Sequence, residues 1–307
     1  MLGRHLQYLR CPATGQKLTL LNQSLVGGGR TYPINRTGVP ALLAQQPKRD
    51  DRIQKEHYNK QLTKAYLKNL GYAHTKEYFR YLDNELKRIV GRKSLGMVLD
   101  LCCGHGEVEK LFGEKVELGF CVDISEDMLS YAQKNNKKKR FAYLQASGLE
   151  LPFPDGVFDH VFCLGGIHHI PNQRALFLEI RRVLKRGGRL VFREPVDDFV
   201  LWRGLRKIIY FLSPKLDQKT ERPVRRIVME KEMSKCGLRM TSWRTKGFMG
   251  CALFMNSDVL VFNRFLRFLP GIRGLVRQFA AWDEALSRGR VLAGKGIQVL
   301  GEARKVR

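Results

Sequence analysis

Short apolar runs alternate with amphipathic stretches between residues 97 and 193. The apolar runs are bounded by polar or glycine-containing turns: MVLDLC, LGFCVDI, RFAYLQA, HVFCLGG and RLVFREP. Helical spacing of apolar residues begins after the first two runs, at Glu107 and at Glu126. Strands that alternate with helices in this rhythm predict an α/β fold with a doubly wound, mostly parallel sheet. Ligands of such sheets bind at the carboxyl ends of the strands.

The chain on either side of this region has a different spacing of apolar residues. Residues 1–45 combine short apolar runs with Gly, Pro and Asn turns and predict a small β-rich unit. Residues 46–96 carry apolar positions at helical spacing and predict a helical lid or linker. The main domain is predicted over residues 97–307, with a helical insertion at about 250–290 before the closing strand.

A glycine-containing loop follows the first strand of the main domain. Asp100 ends the apolar run, and Gly104 and Gly106 follow it. Glycine lets the backbone take unusual angles and approach a ligand closely. The third glycine of the dinucleotide motif GxGxxG is absent, and Glu107 and Glu109 would repel phosphates. The loop predicts a positively charged nucleoside cofactor without phosphates, such as S-adenosylmethionine, with its ammonium group near Asp100.

In these motifs the chain resembles the class I S-adenosylmethionine-dependent methyltransferases. The resemblance runs from about Val98 to Val196, through DLCCGHG, CVDISEDM and LFLEIRRVLKRGGRLVFREP, and returns at KGIQVLGEARK. It implies a Rossmann-like sheet of seven strands and a ribose contact from the acid that ends the second strand. It assigns the cofactor contacts to Asp100, Cys102, Gly104, Gly106, Asp123, Ile124, Met128, Ser147, Gly148 and Leu164. Ser147 departs from the family, which usually has an aspartate there, but its hydroxyl can still accept one hydrogen bond.

Three side chains are candidates for the chemistry of methyl transfer. His168 follows the fourth strand and Glu194 closes the fifth, where an acceptor would meet the methyl group. Either could act as a general base for a hydroxyl or an enolisable carbon. The rings of His168 and His169 are expected to point in different directions, so His169 is assigned a structural role. Tyr58, in HYNK, resembles the lid tyrosine of the family.

The amino-terminal unit resembles the zinc-ribbon-like domain that often precedes bacterial methyltransferase domains. A structural zinc site needs about four ligands. Cys11 is the only cysteine before Cys102, and His5 would supply a second ligand at best. We therefore expect no metal in this unit.

Composition sets the broader class of protein. A chain of 307 residues with 44% hydrophobic content is long enough for one large α/β domain with appendages. Seven scattered cysteines suit a reducing compartment. The first residues contain no long apolar core, and no apolar run approaches the roughly 20 residues of a membrane span. The expected location is the cytoplasm.

The net charge of +26 fits several partners, because a basic protein can serve a nucleic acid, an anionic membrane or neither. Residues 259–280 place aromatic and aliphatic residues at helical spacing between arginines. This pattern is typical of a helical hairpin packed over the active site, or of a basic amphipathic segment in peripheral contact with a membrane.

The sequence predicts a methyltransferase that acts on a small-molecule acceptor, with a lipid, quinone-like or glycan-linked compound favoured. An RNA methyltransferase is one alternative and predicts binding that weakens steeply with salt. A non-catalytic binding protein with the same fold is the other. No DNA partner is expected, because LGGIHH occupies the place of the NPPY-like motif used on the exocyclic amines of DNA bases.

Overall fold

The computed structural model describes residues 2–43, 66–136, 140–204, 207, 222–255 and 261–306, with the backbone alone for 261–264. The strands are β1 Thr19–Leu21, β2 Ser24–Gly27, β3 Arg30–Pro33, β4 Ala41–Leu42, β5 Gly96–Leu101, β6 Val116–Asp123, β7 Phe141–Ala146, β8 Phe158–Leu164, β9 Leu184–Pro195, β10 Leu238–Lys246 and β11 Gln298–Lys305. The α-helices are α1 Ala73–Val90, α2 Glu107–Phe112, α3 Glu126–Asn135, α4 Gln173–Val183, α5 Arg226–Lys235, α6 Met249–Phe254 and α7 Ile272–Arg288. Short 3-10 turns cover Gly3–Tyr8, Gly113–Lys115, Ile167–His169 and Val261–Phe268.

The main sheet has eight strands in the order β10-β11-β9-β8-β5-β6-β7-β4. The strands from β4 to β9 run parallel to their neighbours, and β11 and β10 are antiparallel. The predicted α/β, doubly wound fold is therefore confirmed. The sheet has one strand more than the seven expected, because Ala41 and Leu42 of the amino-terminal unit pair with Gln145 and Ala146.

Both faces of this sheet are covered by apolar side chains. Leu99 and Phe120 pack into one buried cluster, whereas Val98 and Phe162 pack into the other. A parallel sheet covered on both faces needs apolar residues at successive positions, which explains the uninterrupted apolar runs in the sequence. Burial of each large side chain contributes about 1.5–3 kcal/mol.

The amino-terminal unit contains the small antiparallel sheet β1-β2-β3, as its turn-rich pattern predicted. Its first turn lies on the main sheet, with the ring of His5 centred 5.0 Å from that of Phe120. Cys11 Sγ lies 3.1 Å from the hydroxyl of Tyr32. Within the described ranges, no group of three or more His, Cys, Asp and Glu side chains is arranged to hold a metal ion.

Helix α1 connects the start of the sheet with its carboxyl edge. It ends at Val90, shortly before β5 begins, so its amino end points toward the edge where the parallel strands finish. Helix α7, in the predicted insertion, packs along it: the Tyr78 hydroxyl donates to Asp283 at 2.5 Å and the Tyr81 hydroxyl to Glu284 at 2.9 Å. None of the described helices is both long and apolar enough to cross a bilayer.

Candidate functional site

The loop after β5 takes backbone angles that most residues avoid. Cys102, Gly104 and Gly106 have φ of 54°, 50° and 75°. The left-handed region costs a residue with a Cβ about 1–2 kcal/mol, so Cys102 is held there by its surroundings. Gly106 begins α2, and a Cβ on it would lie 2.3 Å from the side-chain nitrogen of Asn136. That nitrogen donates to the carbonyl of Gly106, which fixes the loop against α3.

Asp123 joins this loop to the loop that follows β6. Its Oδ2 accepts from the backbone N–H of Gly104 at 2.8 Å, and its Oδ1 accepts from that of Ser125 at 2.9 Å. Burial raises the pKa of Asp123, while these amide hydrogen bonds oppose the increase. Each carboxylate oxygen has a second lone pair. Asp123 can therefore brace the loop and still accept from hydroxyls of a ligand.

Asp100 lies near the end of β5, just before the glycine loop. The residue is 1% exposed, and among the described residues its Oδ2 has no hydrogen-bond partner. Burial and the charge of Glu107 raise its pKa well above the usual value. An unsatisfied buried acceptor costs about 1–3 kcal/mol, and more when the group is charged. A ligand cation is the group that would satisfy this oxygen, so the site fits a cofactor that carries an ammonium.

The residues predicted to contact adenine lie on the segments that follow β6 and β7. The methyl group of Met128 would lie 3.6 Å from a Cβ on Gly104. The carbonyl of Ile124 accepts from Gln145, and the hydroxyl of Ser147 accepts from the N–H of Leu149 at 3.2 Å. Methyl groups of Leu101, Ile170 and Leu176 surround Gly148. Each lies 3.4 to 3.5 Å from the position that a Cβ on Gly148 would take. The loops after β5, β6 and β7 therefore meet at one edge of the sheet.

Leu164 and Gly165 end the fourth parallel strand of the main domain at the same edge. Gly165 has φ of 82°, and within the described ranges a Cβ on it would meet no atom closer than 4 Å. Leu164 is half-buried and packs against the apolar cluster beneath the loop. The open side of Gly165 leaves room for a bound molecule above the strand.

The two candidate bases are joined by a hydrogen bond. Glu194 is completely buried, and its Oε1 accepts from the N–H groups of Gly166 and Ile167 at 3.0 and 2.8 Å. Its Oε2 lies 2.6 Å from Nδ1 of His168. Glu194 therefore positions the 3-10 turn and the His168 ring. In the neutral ring, an Nδ1–H that donates to Glu194 leaves the basic lone pair on Nε2.

The relation between the two adjacent histidines differs from expectation. The ring centres of His168 and His169 are 3.8 Å apart, so the rings lie side by side and do not point in different directions. The 3-10 turn over Ile167–His169 produces this arrangement, because it winds more tightly than a strand, in which neighbouring side chains alternate. Tyr58, the third catalytic candidate, lies outside the described residues.

A buried charge cluster beside the cofactor loop was not predicted from the sequence. Arg193, at the end of β9, donates to both carboxylate oxygens of Glu107 at 2.8 and 2.7 Å and lies 3.3 Å from Asp83 of α1. Its guanidinium also covers the ring of Phe79 at 5.0 Å. Arg193, Glu107 and Asp83 are more than 20 positions apart from one another, and no local motif signals their contact. The cluster links the first turn of α2 to α1.

Glu107 and Asp83 share the guanidinium of Arg193, and their pKa values shift in opposite directions. Interaction with Arg193 outweighs burial and lowers the pKa of Glu107 to about 2. Burial, followed by repulsion from Glu107, raises the pKa of Asp83 to about 8. Asp83 is therefore the member that carries a proton at neutral pH, and a hydrogen bond joins the two carboxyl groups.

The Asp83→Asn variant should change how stability depends on pH. The folded protein binds a proton at Asp83 up to about pH 8, whereas the unfolded chain releases it near 3.8. The wild-type free energy of unfolding should therefore fall as pH rises through this window. Asparagine keeps a donor for Glu107 and does not titrate, so the variant should gain stability relative to wild type as pH rises. Urea unfolding across this pH range tests it, with Asp155→Asn as an exposed control. Parallel profiles for Asp83→Asn and wild type would contradict the assignment.

Residues 99–192 match the family model described as a methyltransferase domain. The chain is 36% identical over 101 residues to a demethylmenaquinone methyltransferase of Bacillus licheniformis, an alignment that covers 31% of this chain and 43% of the relative. The chain spans about half the length of the curated relatives it matches.

Solved structures share the fold at lower identity. Phosphoethanolamine N-methyltransferase 2 of Haemonchus contortus, solved with S-adenosylhomocysteine, has a TM-score of 0.55 and 20% identity over 85% of this chain and 62% of its own. Magnesium protoporphyrin IX methyltransferase from Synechocystis PCC 6803 has a TM-score of 0.55 and 14% identity over 83% of this chain and 99% of its own. The family match identifies residues 99–192 as a methyltransferase domain, and these solved structures share its fold.

Proposed function

We propose that this protein is an S-adenosylmethionine-dependent methyltransferase that acts on a small-molecule acceptor. The observation that supports it most is the buried Oδ2 of Asp100, which lies beneath the loop of Gly104 and Gly106 and has no hydrogen-bond partner in the described part of the chain. A cation bound there would stabilise the ionised form of Asp100. Glu107 is paired with Arg193 and does not repel phosphates as the sequence suggested, so it is the missing third glycine of GxGxxG that disfavours a dinucleotide. The family match over residues 99–192 supports the same cofactor.

The residues present fit this cofactor at each of its ends. Asp100 would receive the ammonium, Asp123 the ribose hydroxyls, and Ser147 and Gly148 the adenine edge. Bound S-adenosylmethionine supplies an activated methyl group, so the protein has to orient the acceptor in line and deprotonate or polarise it.

The His168 and Glu194 pair is suited to hold a proton beside the acceptor. Glu194 receives the Nδ1–H of His168 and three backbone N–H groups, which fixes the orientation of the ring. A neutral His168 can then accept a proton at Nε2, and Glu194 stabilises the resulting imidazolium. We assign His168 as the base and Glu194 as the positioning residue.

We infer a quinone-like or other lipid acceptor from the relatives that align with the domain. Several are named demethylmenaquinone methyltransferases, at 33% to 40% identity over 100 to 114 residues. A ring hydroxyl or an enolised ring carbon benefits from a general base, which the His168 and Glu194 pair would provide.

The His168→Gln variant should lose turnover and keep cofactor affinity. Loss of a general base typically lowers kcat by about 10²- to 10⁴-fold. His168 is not among the proposed cofactor contacts, so the Kd for S-adenosylhomocysteine should be unchanged. His169→Gln is the matched control, because it alters the adjacent ring. A larger loss of kcat in His169→Gln than in His168→Gln would contradict the assignment.

Transfer of a labelled methyl group from S-adenosylmethionine tests the proposed function. The purified protein is incubated with a demethylated quinone in detergent, with a total lipid extract, and with total RNA. We expect label in the quinone or lipid fraction. Label in RNA alone would favour the RNA methyltransferase alternative, and no label in any fraction would favour a non-catalytic role.

A further inference from the structure

The turn that precedes α7 presents large apolar side chains to solvent. Phe265 is 68% exposed, Phe268 is 69% exposed and Leu269 is 44% exposed. Leu266, between them, packs against the buried cluster that contains α1 and α7. Residues 265, 268 and 269, which we call the aromatic patch, therefore form the outer side of a turn whose inner side is anchored in the fold.

Single exposed apolar residues are common on soluble proteins, but this patch is contiguous. Its members are three and four positions apart, a spacing that brings side chains together on a helical turn. The anchoring of Leu266 means that the aromatic rings cannot turn inward without displacing a residue already packed in the core. Contiguous exposed apolar surface with a polar border is typical of interaction sites.

Arginines border the aromatic patch. The guanidinium of Arg267 lies 4.5 Å from the ring centre of Phe268 and 5.8 Å from that of Tyr72. Arg273 and Arg277 are exposed one turn apart on α7. Aromatic rings among arginines match the interface of an anionic bilayer, where rings enter the headgroup region and guanidinium groups contact phosphates. The net charge of +26 likewise favours an anionic bilayer over an uncharged one.

The aromatic patch lies on the same side of the molecule as the candidate active site. Asp83 contacts Arg193 at the carboxyl end of β9, and α1 continues from there toward its amino end. The ten residues from Asp83 back to Ala73 extend about 15 Å at the helical rise of 1.5 Å per residue. Because Arg189 of β9 also contacts Ile89 of α1, the helix runs alongside β9. Tyr72, which Arg267 covers, therefore lies beyond the carboxyl edge of the sheet.

We propose that the aromatic patch and its arginines dock the protein on an anionic lipid bilayer, with the cofactor edge of the sheet directed toward the membrane. The docking stands on the exposed rings and the surrounding charge. Its use, which is to give the site access to a membrane-dissolved acceptor, rests on the proposed function. The lipid headgroups supply the anionic surface, and the rings of Phe265 and Phe268 enter the interface.

Vesicle sedimentation of the full chain tests the docking surface. Wild-type protein is compared on vesicles of phosphatidylcholine alone and of phosphatidylcholine with phosphatidylglycerol. The test variant is Phe265→Ser with Phe268→Ser. The matched control is Leu20→Ser with Leu21→Ser, which removes two apolar side chains of β1 that are 55% and 58% exposed. Circular dichroism and urea unfolding check that each variant is folded, and calorimetric titration with S-adenosylhomocysteine is measured separately.

We expect wild type and the β1 variant to bind the anionic vesicles equally and the patch variant to bind at least tenfold more weakly. Neutral vesicles should bind wild type at least tenfold more weakly than anionic ones. Equal binding by the patch variant, or no binding by wild type, would overturn the proposal, as would patch-dependent binding to RNA with none to vesicles. Patch-dependent vesicle binding without any S-adenosylhomocysteine binding would leave the docking surface standing and remove the proposed function.

Discussion

The Asp123→Ala variant should lose at least a hundredfold in affinity for S-adenosylhomocysteine. Asp123 would bind the ribose, and it also accepts from the N–H groups of Gly104 and Ser125. Each hydrogen bond to a charged group contributes about 1.5–3 kcal/mol, so the loss of two ligand bonds amounts to about 3 kcal/mol or more. Release of the Gly104 amide adds to this loss, because the loop is no longer held in its binding conformation.

Calorimetry compares this variant with Asp155→Ala, which removes an exposed carboxylate whose side chain is 80% exposed. The control should bind S-adenosylhomocysteine as wild type does. If Asp123→Ala bound with wild-type affinity, the ribose contact and the location of the cofactor site would both be wrong.

The Gly104→Val variant should also abolish cofactor binding, and it should do so without unfolding the protein. Among the described residues, a Cβ at Gly104 meets only the methyl group of Met128, at 3.6 Å, so the added side chain clashes with none of them. The space that it would fill is where the cofactor would lie. The positive φ adds a backbone cost of about 1–2 kcal/mol, which lowers the free energy of unfolding.

Gly156→Val separates the backbone cost from the occupation of the site. Gly156 has φ of 67°, close to the 50° of Gly104, and no described atom lies within 4 Å of the position of a Cβ on it. It lies in the turn before β8, at the opposite edge of the sheet. Both variants should therefore be destabilised to a similar degree, and only Gly104→Val should lose binding. Loss of binding in both would show that backbone strain, and not the space above Gly104, controls affinity.

The sequence was sufficient for the parts of the fold that depend on local pattern. The apolar runs ending in Asp100 and Asp123 predicted parallel strands, because only a sheet covered on both faces needs such runs. The predicted strand ends placed Gly104, Asp123 and Gly148 at the carboxyl edge of the sheet. In the structure these residues lie at or just after the ends of β5, β6 and β7 at that edge. These residues are close in space because parallel strands finish at the same side of a sheet.

Contacts between distant segments could not be read from local pattern. Arg193, Glu107 and Asp83 come from a strand end, a helix start and the middle of another helix. Each alone reads as an ordinary charged residue. A signal was available in the composition of β9, since a charged residue in an otherwise buried strand needs a partner.

Two other differences have equally simple causes. The edge pairing of Ala41 and Leu42 with β7 was missed because a strand of two residues gives no period to detect. The side-by-side rings of His168 and His169 were missed because the 3-10 turn depends on the N–H groups bound by Glu194, 26 or more residues away. Long-range hydrogen bonds determined the local conformation there.

The measurement that tests the central claim most directly is calorimetric titration of the purified wild-type chain with S-adenosylhomocysteine and, separately, with a dinucleotide such as NAD. The geometry of Asp100 and Asp123 predicts micromolar binding of S-adenosylhomocysteine. No measurable binding of the dinucleotide is expected, because the loop lacks the third glycine that lets a helix amino end approach a pyrophosphate. Binding of the dinucleotide, or of neither compound, would contradict the assignment of this edge of the sheet as an S-adenosylmethionine site.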